Sequence, residues 1–140
     1  MQERQSMQKR TIKIKKFELP VYSASVAFVY SNNFEDIAKF AAEEGLHEND
    51  VKTLNEGKYF GYTFMVEDDD KGGRTHNYIF VKKFKNKYDE IDIITHEILH
   101  AVVNILTHRG LKFNKHNEEA YTYLNGYLNK EFFKFKDGKE

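Results

Sequence analysis

The chain has 140 residues, 40% of them hydrophobic and 31% charged, and its 22 basic and 22 acidic side chains give a formal net charge of zero. This size suits a single domain, and the neutral balance gives no electrostatic reason to expect nucleic acid or an anionic membrane as a partner. The sequence contains no cysteine, which excludes disulfides and thiol catalysis, so any metal must be held by histidine and carboxylate.

The N-terminus carries charges with no apolar segment after them, and no uninterrupted apolar run approaches membrane-spanning length. We therefore expect a cytoplasmic protein that does not contact membranes. Residues 1–10 are polar, which predicts a frayed N-terminus. Residues 11–135 are predicted to form one domain without repeats or an internal linker.

The first half of the chain predicts two strands, in residues 11–19 and 21–30, on either side of Pro20, the only proline. A helix is predicted in residues 36–45, where apolar side chains recur at helical spacing and a glycine ends the pattern. Residues 47–57 predict a short helix or a turn.

Two more strands are predicted in residues 58–67 and 76–84, joined by the loop sequence DDDKGGR, which suits a hairpin. Residues 87–110 predict a long helix that begins at Asp89 or a neighbour and ends at Arg109 and Gly110. Residues 114–135 predict a second long helix. Strands, helix, hairpin, helix and helix in this order are typical of an α+β domain.

The first of these long helices contains the sequence THEILH, in which His96, Glu97 and His100 form an H-E-x-x-H motif. At about 100° per residue the two imidazoles lie on one face, one turn apart, where both can reach one ion. Glu97 lies beside them, in a position where a carboxylate can act as general base on water at the metal. The apolar side chains of the helix cluster on the opposite side, so the histidines are not predicted to face the core (Ile91, Ile94, Ile98, Val102, Ile105).

A catalytic zinc site needs three protein ligands and one open position. Glu119, near the start of the last helix, is the candidate third ligand, because the short connection after Gly110 can fold that helix back over the histidines. The alternative is that His96 and His100 are a solvent-facing or hydrogen-bonded pair, and Glu97 is an ordinary surface carboxylate.

H-E-x-x-H followed by a glutamate in the next helix resembles the gluzincin branch of the zinc metallopeptidases, the thermolysin-like pattern. More closely, THEILHA and EAYTYLNGY resemble the motifs of small metallopeptidase-like proteins of phages and bacterial mobile elements. The specific part of the resemblance covers the hairpin through the last helix. It implies a minimal zincin-like domain, in which a small antiparallel or mixed sheet packs against the H-E-x-x-H helix and a following helix that carries a ligand.

By this resemblance the protein is a zinc-dependent metallopeptidase. Zn²⁺ is its cofactor, His96, His100 and Glu119 are the ligands, and Glu97 is the general base. Thermolysin-like enzymes read N-E-x-x-x-D in the ligand helix. Here Asn117 and Glu118 begin that pattern and Thr122 stands at the aspartate position, so Glu118 stays open as an alternative third ligand.

Other polar residues could support the ligands or the substrate. Asp92, one turn before His96, and Tyr123, one turn after Glu119, could hold the ligand side chains in position. Several side chains could polarise a substrate carbonyl oxygen, and the sequence does not choose among them (His108, His116, Tyr121, Tyr123).

The expected partner is a peptide or protein substrate, and the sequence identifies neither the substrate nor the oligomeric state. The family implies that an extended peptide adds to a sheet edge beside the site, and His76 to Phe84 is the candidate edge strand. The alternative function is an inactive zincin-scaffold binding protein, for example a phage protein that binds a host protein. The small size favours it, because little chain is left for a second lobe.

Overall fold

The computed structural model of the protein describes residues 12–68 and 73–139, so the predicted frayed segment 1–10 lies outside the described residues. In these two ranges, four strands and four α-helices follow the predicted order, with a 3-10 turn at Pro20–Tyr22 between the first two strands. The elements are β1 (Lys13–Leu19), β2 (Ala24–Ser31), α1 (Phe34–Glu43), α2 (Glu48–Glu56), β3 (Gly61–Asp68), β4 (Arg74–Lys82), α3 (Lys87–His108) and α4 (Glu118–Lys136).

The four strands form one mixed sheet in the order β1-β2-β4-β3. β1 pairs antiparallel with β2, and β3 pairs antiparallel with β4 as the predicted hairpin. β2 and β4 are parallel, with Ala24 beside Thr75 at one end and Ser31 beside Lys82 at the other. The predicted α+β class is therefore confirmed.

The strand predicted in residues 76–84 is not the edge strand that we expected. It forms most of β4, which lies between β2 and β3, and β3 is the edge of the sheet on this side. Its buried side chains occupy both faces, because Ile79 and Val81 enter one core and Phe80 the other. Apolar residues on both faces are typical of an internal strand.

The sheet separates two apolar cores. On one face, the buried faces of α3 and α4 pack against β2 and β4, with Phe28 and Phe132 in ring contact at 4.8 Å. On the other face, α1 and α2 cover the sheet around Ile37, Leu54 and Phe80. The histidine helix thus lies in one layer only, and the second layer supports the sheet from behind.

The ends of α3 are fixed by local hydrogen bonds. The Asn86 side chain accepts from the backbone N–H groups of Tyr88 and Asp89, at 2.9 and 3.1 Å, so the cap is Asn86, three residues before Asp89, where the cap was predicted at Asp89 or a neighbour. Its C-terminal end agrees with the prediction, since Arg109 is the cap residue and Gly110 follows with a φ of 81°. Within the described ranges, no helix is sufficiently long and apolar to cross a membrane.

Candidate active site

His96 and His100 lie on the exposed face of α3, one turn apart, as predicted from their spacing. Their Nε2 atoms are 3.1 Å apart and the rings meet edge to face. Four of the five apolar residues predicted on the far side of the helix are buried (Ile94, Ile98, Val102, Ile105), and Ile91 is half-buried. The two imidazoles therefore point at a common position outside the core.

Glu97 is turned away from solvent, unlike the histidines beside it. Its side chain is 10% exposed, against 64% for that of His96. The Thr63 hydroxyl on β3 donates to Glu97 Oε1 at 2.7 Å, and Oε2 lies 4.0 Å from His96 Nε2. One carboxylate oxygen is thus held by the sheet, and the other faces the histidines.

A cleft of about 690 Å³ runs between α3 and the start of β3. Asp92, His96, Glu97 and His100 line it from the helix, and residues 58–63 line it from the strand side. Asn104 extends the helix wall by one more turn. The H-E-x-x-H motif therefore lies along the wall of a cleft whose other wall is the edge of the sheet.

The edge strand turns unpaired backbone groups outward at this cleft. The Lys82 N–H donates to the Phe60 carbonyl oxygen at 2.8 Å, and Gly61 is opposite Val81 in the register. Hydrogen-bonded and non-bonded pairs alternate in an antiparallel ladder. Gly61 and Thr63 are therefore at positions whose N–H and C=O groups point away from β4.

On the other side of the histidines, an apolar groove of about 490 Å³ separates α3 from α4. Leu99, Val103, Phe113 and Tyr121 supply its apolar lining, and the first three are exposed. Leu99 and Val103 are three residues after His96 and His100, respectively, and so lie on adjacent positions of the helix surface. The histidines form a ridge between the polar cleft and the apolar groove.

The two candidate third ligands are in the first turn of α4. Glu118 and Glu119 are both exposed, and neither lines the cleft or the groove. Thr122, which does line the groove, is one turn after Glu118, so Glu118 lies on the side of α4 nearer to α3. Among residues 12–68 and 73–139, no three histidine or carboxylate side chains are close enough together to hold a metal ion.

The candidate polarising groups are placed away from the cleft. His108 Nε2 contacts the Gly73 carbonyl oxygen at 3.0 Å, and the Tyr121 hydroxyl donates to the Leu111 carbonyl oxygen at 2.7 Å. His116 is exposed in the loop before α4, and Tyr123 is 74% exposed on α4. Of the predicted supporting residues, only Asp92 lines the cleft.

Several residues of the cleft were not predicted from the sequence. Thr63 and Gly61 contact or closely approach Glu97, and Tyr59 and Tyr62 line the same wall, where the Tyr59 N–H donates to the Tyr62 hydroxyl at 3.1 Å. The alternation of side chains in residues 58–67 places Gly61 and Thr63 on one face of the strand. It does not tell which helix that face meets, because that depends on the strand order.

A buried acid joins the beginning of the histidine helix to the rest of the fold. Glu90 Oε2 accepts from the Tyr30 hydroxyl at 2.8 Å and from the Phe84 N–H at 2.7 Å, and Oε1 is 3.4 Å from Lys136 Nζ on α4. Burial raises the pKa of Tyr30, and the hydrogen bond to Glu90 and its charge raise it further. Burial lowers the pKa of Lys136, but the hydrogen bond to Asp137 and the charges of Glu90 and Asp137 outweigh it and raise the pKa overall.

Comparison with protein-family models, curated proteins and solved structures finds no significant match to this chain. Any functional conclusion therefore rests on the residues and geometry of the cleft.

Proposed function

We propose that the protein is a zinc-dependent metallopeptidase whose active site is the cleft between α3 and β3. The observation that carries this proposal is the combination of two exposed imidazoles with converging Nε2 atoms and a shielded carboxylate beside them. All three line one cleft, and that cleft is bounded by an unpaired strand edge. A hydrogen-bonded histidine pair would show the same 3.1 Å contact, so the proposal depends on the shielded carboxylate and the cleft beside the pair.

The two histidines are spaced as zinc ligands, whereas the third ligand would have to approach from α4. Two nitrogen ligands at about 2.0–2.1 Å from a tetrahedral ion are roughly 3.3 Å apart. The Nε2 atoms of His96 and His100, at 3.1 Å, are close to that separation without rearrangement of the helix. The family resemblance favours Glu119 as the third ligand and we propose it, whereas Glu118 is its competitor because it lies on the side of α4 nearer to α3.

Glu97 is the proposed general base. Zinc, when bound at such a site, polarises a substrate carbonyl and makes water more acidic. The Glu97 carboxylate accepts the proton of the attacking water through the oxygen that faces the histidines, and donates it to the departing amine. The oxygen held by Thr63 keeps the carboxylate in place during both transfers.

The proposed substrate is an extended segment of a peptide or protein. Such a segment can add to the free edge of β3, where the backbone N–H and C=O groups of Gly61 and Thr63 point outward. This pairing would hold the scissile peptide bond over Glu97 and the histidines. The edge is β3 rather than the strand expected from the sequence.

The first test is the metal content of the purified protein. We expect about one zinc per chain in the wild type, and a large loss in His96→Ala and His100→Ala. Glu119→Ala and Glu118→Ala identify the third ligand, because only the ligand variant should lose zinc. Glu131→Ala, in the same helix but paired with Lys15 and Lys134, is the matched control and should retain zinc.

The second test is cleavage of a peptide library. Glu97→Gln keeps the size of the side chain but removes the base, so we expect turnover to fall by at least about 10²-fold while zinc is retained. Zinc-loaded wild-type protein that cleaves no peptide, or Glu97→Gln protein that cleaves as fast as wild type, would contradict the proposed mechanism.

A binding protein on the same scaffold is the second candidate function. Its supporting observation is the apolar groove beside the histidines, because exposed apolar side chains such as Leu99 and Phe113 often mark interaction surfaces. It predicts capture of a partner without cleavage, and partner binding that is weakened by Phe113→Ala but unaffected by Glu97→Gln.

A further inference from the structure

We propose that β3 positions Glu97 through two residues: the Thr63 hydroxyl holds one carboxylate oxygen, and the absence of a side chain at Gly61 makes room for the carboxylate. Thr63 and Gly61 are thus positioning residues, which act through Glu97. Their importance for hydrolysis rests on the proposed function, whereas the contacts themselves can be tested without any substrate.

The Thr63 contact supplies a fixed partner to a shielded charge. The carboxylate of Glu97 has little access to water, and a charged group in that situation needs hydrogen-bond donors. The Thr63 hydroxyl lies 2.7 Å from Oε1 and 3.0 Å from the Glu97 backbone oxygen. The hydroxyl has one proton, so the shorter contact marks Oε1 as its main acceptor, and the backbone oxygen of Glu97 shares the same proton at longer range.

Gly61 contributes by having no side chain, because α3 lies too close to the strand for one. A Cβ atom at this position would lie 2.6 Å from Glu97 Cγ, 3.0 Å from Glu97 Oε2 and 2.9 Å from Ile93 Cγ2. Gly61 has no positive φ, so its backbone conformation does not require glycine. The close approach of α3 to the strand edge requires it instead.

Together the two contacts give the two oxygens of the Glu97 carboxylate different roles. Oε1 is bound to the sheet, which leaves Oε2, 4.0 Å from His96 Nε2, as the oxygen available for proton transfer. A small displacement of a catalytic group can lower a rate by about 10²-fold. Loss of either contact should therefore reduce turnover while the metal ligands stay intact.

The contact is tested by the ¹³C resonance of the Glu97 carboxyl group, assigned by its loss in Glu97→Gln. We expect Thr63→Val to shift this resonance, and Thr63→Ser, which keeps the hydroxyl, to leave it close to wild type. Thr53→Val is the matched control, because the Thr53 hydroxyl bonds only within its own helix, to the Asn49 carbonyl oxygen. An unchanged resonance in folded Thr63→Val would overturn the proposal.

Gly61→Ala provides an independent test if Thr63→Val does not fold. It should shift the same resonance by displacing the carboxylate, although Thr63 is still present. A folded Gly61→Ala protein with the wild-type resonance would show that the carboxylate does not lie against Gly61, and would equally overturn the proposal.

The kinetic test uses a peptide that the wild type cleaves. We expect Thr63→Val to lower kcat by about 10- to 100-fold with KM and zinc content unchanged, and Thr63→Ser to restore most of the rate. A Thr63→Val protein with wild-type kcat would reject the positioning role. If the wild type cleaves nothing, the proposed function fails, and the carboxyl resonance still decides whether Thr63 holds Glu97.

Discussion

At the scale of single residues, neighbours on one helix have opposite environments. His96 and His100 are exposed, whereas Glu97 and Glu90 are buried carboxylates, and each of these accepts hydrogen bonds from the sheet side of the fold. A buried carboxylate is costly without such partners. The two acids therefore attach α3 to the sheet at two points seven residues apart. Glu90 lies in the first turn of the helix, and Glu97 lies directly after His96.

Glu90→Ala should lower the free energy of unfolding by about 3 kcal/mol, because it leaves the Tyr30 hydroxyl, the Phe84 N–H and Lys136 without their acceptor. Chemical denaturation measures this change. Asp89→Ala is the control in the same helical turn: Asp89 is exposed, so its loss should cost only about 0.5 kcal/mol. Equal losses in the two variants would contradict this view of Glu90.

The tyrosines predict a loss of stability in alkali. Burial and the neighbouring Glu44 raise the pKa of Tyr78 to about 12, whereas an unfolded tyrosine has a pKa of about 10. The folded state keeps a proton that the unfolded state releases, so the stabilisation is complete below about pH 10 and is lost as the pH rises towards about 12. Tyr30 shifts in the same direction.

Denaturation at a series of pH values tests this dependence. Tyr78→Phe removes one of the titrating groups, so its stability should fall less steeply over the alkaline range than that of the wild type. Tyr88→Phe is the control, because Tyr88 is 79% exposed. Parallel pH profiles for wild type and Tyr78→Phe would show that Tyr78 does not contribute to the loss of stability in alkali.

At the scale of elements, the sequence predicted which segments are strands and helices but not how the strands are arranged. Periodicity, the single proline and the terminal glycines are local signals, and they located the strands and α-helices near their positions, whereas the 3-10 turn at Pro20–Tyr22 was predicted as the start of a strand. Strand order depends on contacts between distant segments. One local signal for it was present: the run from Tyr78 to Val81 is apolar on both faces, which favours an internal strand, as β4 is.

In the candidate site too, the residues that depend on local spacing were predicted and those that depend on tertiary packing were not. The spacing of His96 and His100 predicted a shared helix face with the apolar residues opposite, and the structure shows this arrangement. Thr63 and Gly61 could not be predicted, because they meet Glu97 only through the pairing of β3 with β4 and the packing of α3 on the sheet. The choice between Glu118 and Glu119 remains a prediction.

The N-terminal cap of the histidine helix is predicted to contribute to stability. Asn86→Ala removes the acceptor for two N–H groups in the first turn of α3, and should cost about 1 kcal/mol of unfolding free energy. Asn86→Asp keeps an acceptor and should be nearly neutral. Thermal and chemical denaturation measure both variants, and an Asn86→Ala protein as stable as Asn86→Asp would argue against the cap.

At the scale of the whole molecule, the sheet separates the histidine layer from a second core that contains neither His96 nor His100. Ile37 on α1 is fully buried in that second core. Ile37→Ala should lower the free energy of unfolding by about 2–5 kcal/mol because it leaves a cavity. Zinc content per folded chain should stay at the wild-type value, since His96 and His100 are on the opposite side of the sheet.

The zinc content of Ile37→Ala and of the wild type is compared by elemental analysis at a temperature where Ile37→Ala is still folded. Ile98→Ala, on α3 and next to Glu97, is the companion variant with a similar loss of buried side chain. We expect the cleavage rate of Ile98→Ala to fall further than that of Ile37→Ala. Loss of zinc from folded Ile37→Ala would show that the two layers are coupled more closely than their packing indicates.

The parallel pairing of β2 with β4 also has a consequence for the order of folding. The pairs β1–β2 and β3–β4 join segments that are neighbours in the chain, whereas β2 and β4 are connected through residues 32–73. Closing so long a loop costs more conformational entropy than closing a hairpin, and non-local contacts slow folding. We therefore expect two hairpins to form early and the sheet to join at its centre late, so that the core in which α3 packs against both β2 and β4 is completed only in the rate-limiting step.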